Sequence, residues 1–200
     1  GSNQQGVTAR GTTSGNSDYG LAQFKSGHAM ASDEKIITLY ASFINFGFLT
    51  DQGNIYAVGN NGGGVLGTGN TATQSQLVKI PKTLNSGGNI SGNIIKLFGF
   101  SGALIIYTDA NKYYSIGEGN SYRTLLNTEN DYRKWVELHY NLYSYMNNSH
   151  MVDHTNLLNA YSGINENGEV FSWGWNGNNK YVLGTNQANK YKQRSPHRTY

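Results

Sequence analysis

The chain has 200 residues, no cysteine, 26 glycines, 15 tyrosines and two prolines, with 14% charged residues and a formal net charge of +3. The lack of cysteine excludes a disulfide framework, a thiolate metal site and a cysteine nucleophile. The charge is too small to imply a nucleic-acid partner, and no apolar run approaches the roughly 18 residues of a membrane-spanning helix.

Aromatic residues make up 12% of the chain, which argues against disorder despite a negative mean hydropathy. Low charge combined with abundant Asn, Gly, Ser, Thr and Tyr is a composition ordinary among extracellular adhesins and virion appendages.

In chain order, the first unit opens on Gly1-Ser-Asn3 with Gly6-Val7, a pattern that returns as Gly59-Asn-Asn61 with Gly64-Val65. Lys35-Ile-Ile-Thr-Leu-Tyr40 reads as a strand, and Phe46 to Thr50 as a second strand. It runs into a turn where Gly53 supplies positive φ, and Ile55 to Val58 leads out to Gly59. The outgoing strand is apolar on both faces, as expected of a sheet sandwiched between two others.

The same sentence then repeats. Thr50 to Gly59 matches Thr108 to Gly117 and Asn165 to Gly174, with closing glycines 58 and 57 residues apart. Lys35–Tyr40 falls on Asn93–Phe98, Leu77–Ile80 falls on Trp135–Leu138, and in the third copy Met151-Val152 is what remains of the Ile-Ile pair. Units 1–58, 59–116, 117–173 and a partial 174–200 follow. The period predicts equivalent inward or inter-blade positions for Ile55, Tyr113 and Val170, and for Val58, Ile116 and Trp173, with Gly168 in the third turn.

Short apolar runs between Gly, Asn, Asp and Ser clusters are strand grammar. Four short antiparallel strands per unit of this length, arranged radially, make an all-β fold of β-propeller blades. The stretch Gly168-Glu-Val-Phe-Ser-Trp-Gly-Trp-Asn-Gly177 followed by Val182-Leu-Gly184 resembles the repeat of the regulator of chromosome condensation (RCC1-like) family. Ile55 to Asn61 with Val65 to Gly69 keeps the pattern, and the second copy is weaker. The resemblance implies an RCC1-like propeller. At this period the chain holds about three and a half units, an incomplete ring that the remainder of the same polypeptide or other copies would complete.

Candidate chemistry is sparse. His150 and His154 stand four apart with His139 upstream, yet the repeat places His154 on a strand where the earlier copies have Leu39 and Leu97, so neither metal nor any other cofactor is expected. Asp51, Asp109 and Glu166 belong to the hairpin turns, where such side chains bond nearby backbone amides. No nucleophile-elbow motif or singled-out acid pair marks an enzyme. The terminal basic group Lys180, Lys190, Lys192, Arg194 and Arg198, with Tyr191 and Tyr200, reads as a solvated connector.

The most distinctive segment lies between the second and third units. Trp135 takes the strand position of Leu77, but Tyr140, Tyr143 and Tyr145 align with a Gly-rich connector and stand free of the repeat. Trp175 replaces Asn60 and Glu118 directly after the turn glycine. Aromatic side chains at loop positions offer rigid contact area for sugars or proteins, so these four are the expected binding residues, exposed together on one face.

The leading expectation is a non-enzymatic recognition module. It would be part of a phage tail fibre or a secreted surface adhesin, extracellular or virion-associated, binding a host surface glycan or protein through propeller loops. The resemblance implies the alternative: an intracellular regulator of the guanine-nucleotide-exchange type, or an enzyme-inhibitor propeller, either of which binds a protein partner.

Overall fold

A computed structural model describes residues 6–13, 20–42, 44–120, 123–126, 128–138, 144, 146–157, 160–175 and 192–198, of which 156, 157, 175 and 192–198 are described in backbone alone. Twelve strands form three four-stranded antiparallel sheets. The first holds β1 (Ile36–Ala41), β2 (Asn45–Thr50), β3 (Ile55–Gly59) and β4 (Gln74–Lys79). The second holds β5 (Ile94–Phe100), β6 (Ala103–Thr108), β7 (Lys112–Gly117) and β8 (Tyr132–Glu137). The third holds β9 (Met151–Leu157), β10 (Ala160–Asn165), β11 (Val170–Trp175) and β12 (Lys192–Arg198).

Each sheet is an up-and-down meander with neighbours in sequence order, so all pairing within a sheet is local. Register repeats with the sequence period. Leu49 faces Ile55, Tyr107 faces Tyr113 and Ile164 faces Val170; Phe46 faces Val58, Leu104 faces Ile116 and Tyr161 faces Trp173. Irregularities repeat as well. Every first strand shifts register at one place, between Ile36 and Thr38, between Ile94 and Lys96, and opposite Ile164 and Asn165. The skipped residues Ile37, Ile95 and Val152 are turned out of the ladder and are among the few large apolar side chains left exposed.

The hairpin turns explain the Thr-Asp-x-Gly segment. Gly53 and Gly168 adopt φ of 68° and 78°, and in the second copy Asn111 takes the same left-handed conformation at 59°. Asn is the non-glycine residue that tolerates this best. The closing glycines have a different reason to be glycine. Gly59 and Gly117 sit at φ 114° and 115°, and a Cβ would lie 2.4 Å from the Ile44 carbonyl oxygen and 2.2 Å from that of Gly102. The following amides, of Asn60 and Glu118, donate to those same carbonyls at 2.8 Å.

The sheets stack through three apolar layers. Residues of the 6–30 segment, among them Ala9, Phe24 and Met30, cover Phe48, Tyr56, Val58 and Leu77 of the first sheet. A second layer joins Leu49, Ile55 and Ala57 to Ile94, Leu97, Leu104, Ile106 and Ile116. A third joins Phe98, Phe100, Ile105 and Tyr113 to Met151, Tyr161, Phe171 and Trp173. Ile55 and Tyr113 thus face the next sheet, while Ile116 and Trp173 face the previous one and Val58 the covering 6–30 segment. Burying each such side chain stabilises by about 1.5–3 kcal/mol.

Two expectations are corrected here. Within the terminal basic group Lys192, Arg194 and Arg198 are not in a connector, because Lys192–Arg198 forms β12 and pairs with β11 from Phe171↔Arg198 to Trp175↔Lys192, while Lys180, Lys190, Tyr191 and Tyr200 lie outside the described residues. β12 lacks strand propensity, but the open hydrogen-bonding edge of β11 supplies partners that composition does not reveal, and Pro196 is tolerated on an edge strand where the register slips. The turn acids, in turn, bond amides distant in sequence. Asp51 accepts from Lys35 N at 2.9 Å, Asp109 from Asn93 N at 2.7 Å and Glu166 from His150 N at 3.4 Å, each 16 residues upstream. They pin each turn to the start of its own first strand.

Candidate functional site

Antiparallel order gives the stack two rims. One carries the β2–β3, β6–β7 and β10–β11 hairpins with Asp51, Asp109 and Glu166. The other carries the ends of β3, β7 and β11 and the segments that follow the first two.

On the second rim, the loop after β3 is organised by buried Asn61. Its Nδ2 donates to Thr68 Oγ1 at 3.1 Å and to the Asn70 carbonyl at 3.0 Å, while its Oδ1 accepts from Leu66 N at 2.8 Å. This loop lies against the second sheet. A Cβ on Gly63 would run into the Glu118 side chain, and one on Gly64 into Arg133, so the triple glycine permits backbone to touch the neighbouring blade. Glu118 pairs with Arg123, which also donates to the Ser101 carbonyl at 3.0 Å. Beneath them Tyr161 is fully buried, and burial holds its hydroxyl well above the ordinary tyrosine value.

Trp175, which occupies the place of Asn60 and Glu118 in the sequence, is the last residue of β11 and pairs with Lys192 on this second rim. Tyr140, Tyr143 and Tyr145 lie outside the described residues. Their flanks are on the first rim. The Leu138 amide donates to the Tyr113 carbonyl at 2.9 Å near the β6–β7 turn, and His150 is held by Glu166 at the β10–β11 turn. Strand direction therefore places the described flanks of the tyrosine segment and the backbone of Trp175 at opposite ends of the sheets.

Three polar centres have partners that the sequence does not show. Glu34 is buried at the first rim, and its carboxylate accepts from Thr50 Oγ1, Asn54 Nδ2, Ala31 N and Tyr56 Oη at 2.5, 2.8, 3.1 and 3.1 Å. Burial works to raise its pKa, but the four donors outweigh burial and hold the carboxyl below the usual range. Tyr56 is pushed up to about 12 by burial and by its bond to Glu34.

His150 lies beside two tyrosine rings, its Nε2 3.3 Å from Tyr107 Oη and its Nδ1 3.3 Å from Tyr113 Oη. His154 has other company: Nε2 is 2.9 Å from the Gly99 carbonyl and 3.1 Å from the Gly99 amide, with the rings of Phe98 and Phe100 edge-on at 5.5 and 4.9 Å. The pair thus serves separate contacts. Among the described residues no group of three His, Cys, Asp or Glu side chains is placed to hold a metal.

The far face of the third sheet carries a hollow of about 220 Å³ lined in part by Thr155, Ser162, Ile164 and Val170. Its cause is local. Thr155 pairs with Ser162 at the register position where the other sheets have Tyr40 opposite Gly47 and Phe98 opposite Ile105. A ring that fills the first two seams is missing here.

Stacked four-stranded meanders with a repeated register define this chain as a β-propeller scaffold, three blades of one. Comparison with solved structures finds the same fold in RCC1-like propellers. Human WBSCR16 superposes with a TM-score of 0.63 at 18% identity over 86% of this chain and 39% of that one. Yeast RCC1 (Prp20), in a crystal structure with Kap60, gives 0.61 at 15% over 83% and 35%. The Prp20p structure from Saccharomyces cerevisiae gives 0.58 at 15% over 82% and 36%. This chain thus spans little more than a third of the length of the propellers it matches. No protein-family model and no curated protein sequence matches it.

Proposed function

We propose that the chain is part of a non-enzymatic propeller that recognises a protein partner through one of its rims, in the manner of an intracellular RCC1-like regulator. The observation that supports this reading is the superposition of three blades on RCC1-like propellers over more than four fifths of the chain. One of those structures is a complex with Kap60, and another is described with its binding properties toward Gsp1p and histones. The tail-fibre or adhesin reading, with a host glycan as ligand, rests on composition and has no counterpart in these comparisons.

The two rims offer different chemistry. The second rim presents loops tied together across blades by Gly63, Glu118 and Arg123, which is the preorganisation a protein contact surface needs. Trp175 is the candidate anchor there, and Tyr140, Tyr143 and Tyr145 are the candidates of the first.

The test uses the intact parent protein in two assays: release of labelled guanine nucleotide from small GTPases, with direct binding measured in parallel, and a glycan array. Binding to a GTPase that weakens at least tenfold in Trp175→Ala, with Tyr143→Ala unchanged, supports a second-rim protein contact. The reverse ranking moves the contact to the first rim. Glycan binding without any protein partner rejects the proposal.

A further inference from the structure

We propose that the open face of the third sheet is a socket for a single aromatic side chain, carried by the first strand of a fourth blade of the same polypeptide.

The two internal seams define what such a face expects. Each sheet turns the same register positions toward the next blade: Tyr40, Leu49 and Ile55 in the first, Phe98, Tyr107 and Tyr113 in the second, and Thr155, Ile164 and Val170 in the third. Tyr40, Ile55, Phe98 and Tyr113 are between 2% and 6% exposed under their neighbours. In the third sheet Thr155 is exposed and Ile164 and Val170 are half-buried, and among the described residues no sheet lies beyond them.

The hollow sits where the other blades supply a ring. Tyr40 lies between two glycines, since a Cβ on Gly47 would be 2.6 Å from its Cε1 and one on Gly99 of the next blade 2.1 Å from its Cδ2. Phe98 pairs with Ile105 and meets the His154 ring of the next blade at 5.5 Å. Thr155 pairs instead with Ser162, and these two small side chains leave about 220 Å³. Protein interiors pack to the density of organic crystals, so a space of this size is filled by whatever covers it. The missing ring has to come from the other side.

Size and polarity narrow the ring. An apolar cavity of roughly 150 Å³ is enough to bind benzene, so the hollow has room for a phenol or an indole. Asp153, Thr155 and Ser162 contribute a carboxylate and two hydroxyls to its wall. These can accept from a phenolic O–H or an indole N–H, which favours Tyr or Trp over Phe.

The source follows from the order of the stack. Both internal seams join consecutive segments of one chain, and this chain spans little more than a third of the propellers it matches. The inference rests on the propeller scaffold and is independent of which partner the rims recognise.

Two measurements test it. The first is methyl NMR of the 200-residue chain, titrated with p-cresol as a tyrosine side-chain probe and with isobutanol as an aliphatic one. Saturable shifts are expected at Thr155, Ile164 and Val170, with p-cresol bound at least about fivefold more tightly. Thr155→Tyr, which restores the ring of the first blade, should abolish them, while Leu39→Thr, at an exposed apolar side chain of the first sheet, should leave them unchanged.

The second compares Thr155→Tyr in the 200-residue chain and in the intact parent protein. In the chain alone the new ring enters an open hollow, and the unfolding temperature should hold or rise. In the parent two rings compete for one socket, and it should fall by at least about 3 °C. If Thr155→Tyr does not fold, Ser162→Leu, which fills the hollow from the ladder partner, is judged by the same criteria. Dimers of the chain that Thr155→Tyr dissociates would make a second copy the occupant and overturn the assignment. Equal affinity for the two probes, binding that survives Thr155→Tyr, or an unfolding temperature that falls in both proteins or in neither also overturns it.

Discussion

The two blade seams have the same topology and register but opposite chemistry. Between the first and second sheets the layer is chiefly aliphatic, with Leu49, Ile55, Ile94, Leu97, Ile106 and Ile116. Between the second and third it is aromatic: Phe100 meets Tyr161 at 5.4 Å and Trp173 at 5.6 Å, both edge-on, and two histidines border it. A repeat thus conserves the path of the backbone while leaving seam composition free. Branched aliphatics interlock without polar atoms, whereas large rings fill the same gap with fewer side chains and bring hydroxyls, imidazoles and an indole that need partners.

Substitutions can break this comparison. The largest effect is expected for Trp173→Ala, which empties the aromatic seam of a fully buried indole and should cost about 3–5 kcal/mol. Ile116→Ala, at the equivalent position of the aliphatic seam, should fall at the lower end of about 2–5 kcal/mol. Denaturant unfolding of both variants checks the order, and equal losses would show that the seams do not differ as described.

Next comes Gly117→Ala, at a position shared by all blades. Its Cβ would meet the Gly102 carbonyl at 2.2 Å at a φ of 115°, so a loss of about 1–3 kcal/mol is expected whichever seam is considered. Gly59→Ala should match it, and a neutral result by calorimetry at either site would contradict the shared close approach of these glycines to a carbonyl.

Glu34→Gln probes the buried carboxylate of the first blade, which neither seam contains. Glu34 is held below the usual carboxylate range, so its contribution is present above the unfolded value of about 4.5 and lost as pH falls through the folded pKa. The variant should lose about 1–3 kcal/mol at neutral pH and flatten the stability profile below about pH 4.5. Urea titrations at a series of pH values check both effects.

The smallest effect is expected at the second hairpin. Asn111→Gly, which copies Gly53 and Gly168 at a φ of 59°, should change stability by less than about 1 kcal/mol, read as a shift in unfolding midpoint.

Much of the fold was legible because the period samples the same physics three times. Thr50 to Gly59 and its copies announce a strand, a left-handed turn and a strand, and the spacing of Ile55, Tyr113 and Val170 gives them one register position. The segment 192–198 misled because its strand character comes from the edge it pairs with and not from its own side chains.

The binding candidates were less legible. Tyr140, Tyr143, Tyr145 and Trp175 share aromatic character, but strand direction assigns the flanks of the first three and the fourth to opposite rims, and direction becomes readable only when every strand boundary is known. The links that join blades were hidden for a related reason. Glu118 with Gly63, and His154 with Gly99, join residues 55 apart, and a spacing near the period carries no local signal. Sequence by itself determined the strands, turns and obligatory glycines, because local backbone conformation follows from neighbouring residues. Only the tertiary stack decided which faces meet, since contact between blades depends on side-chain volume and polarity on both sides of a seam at once.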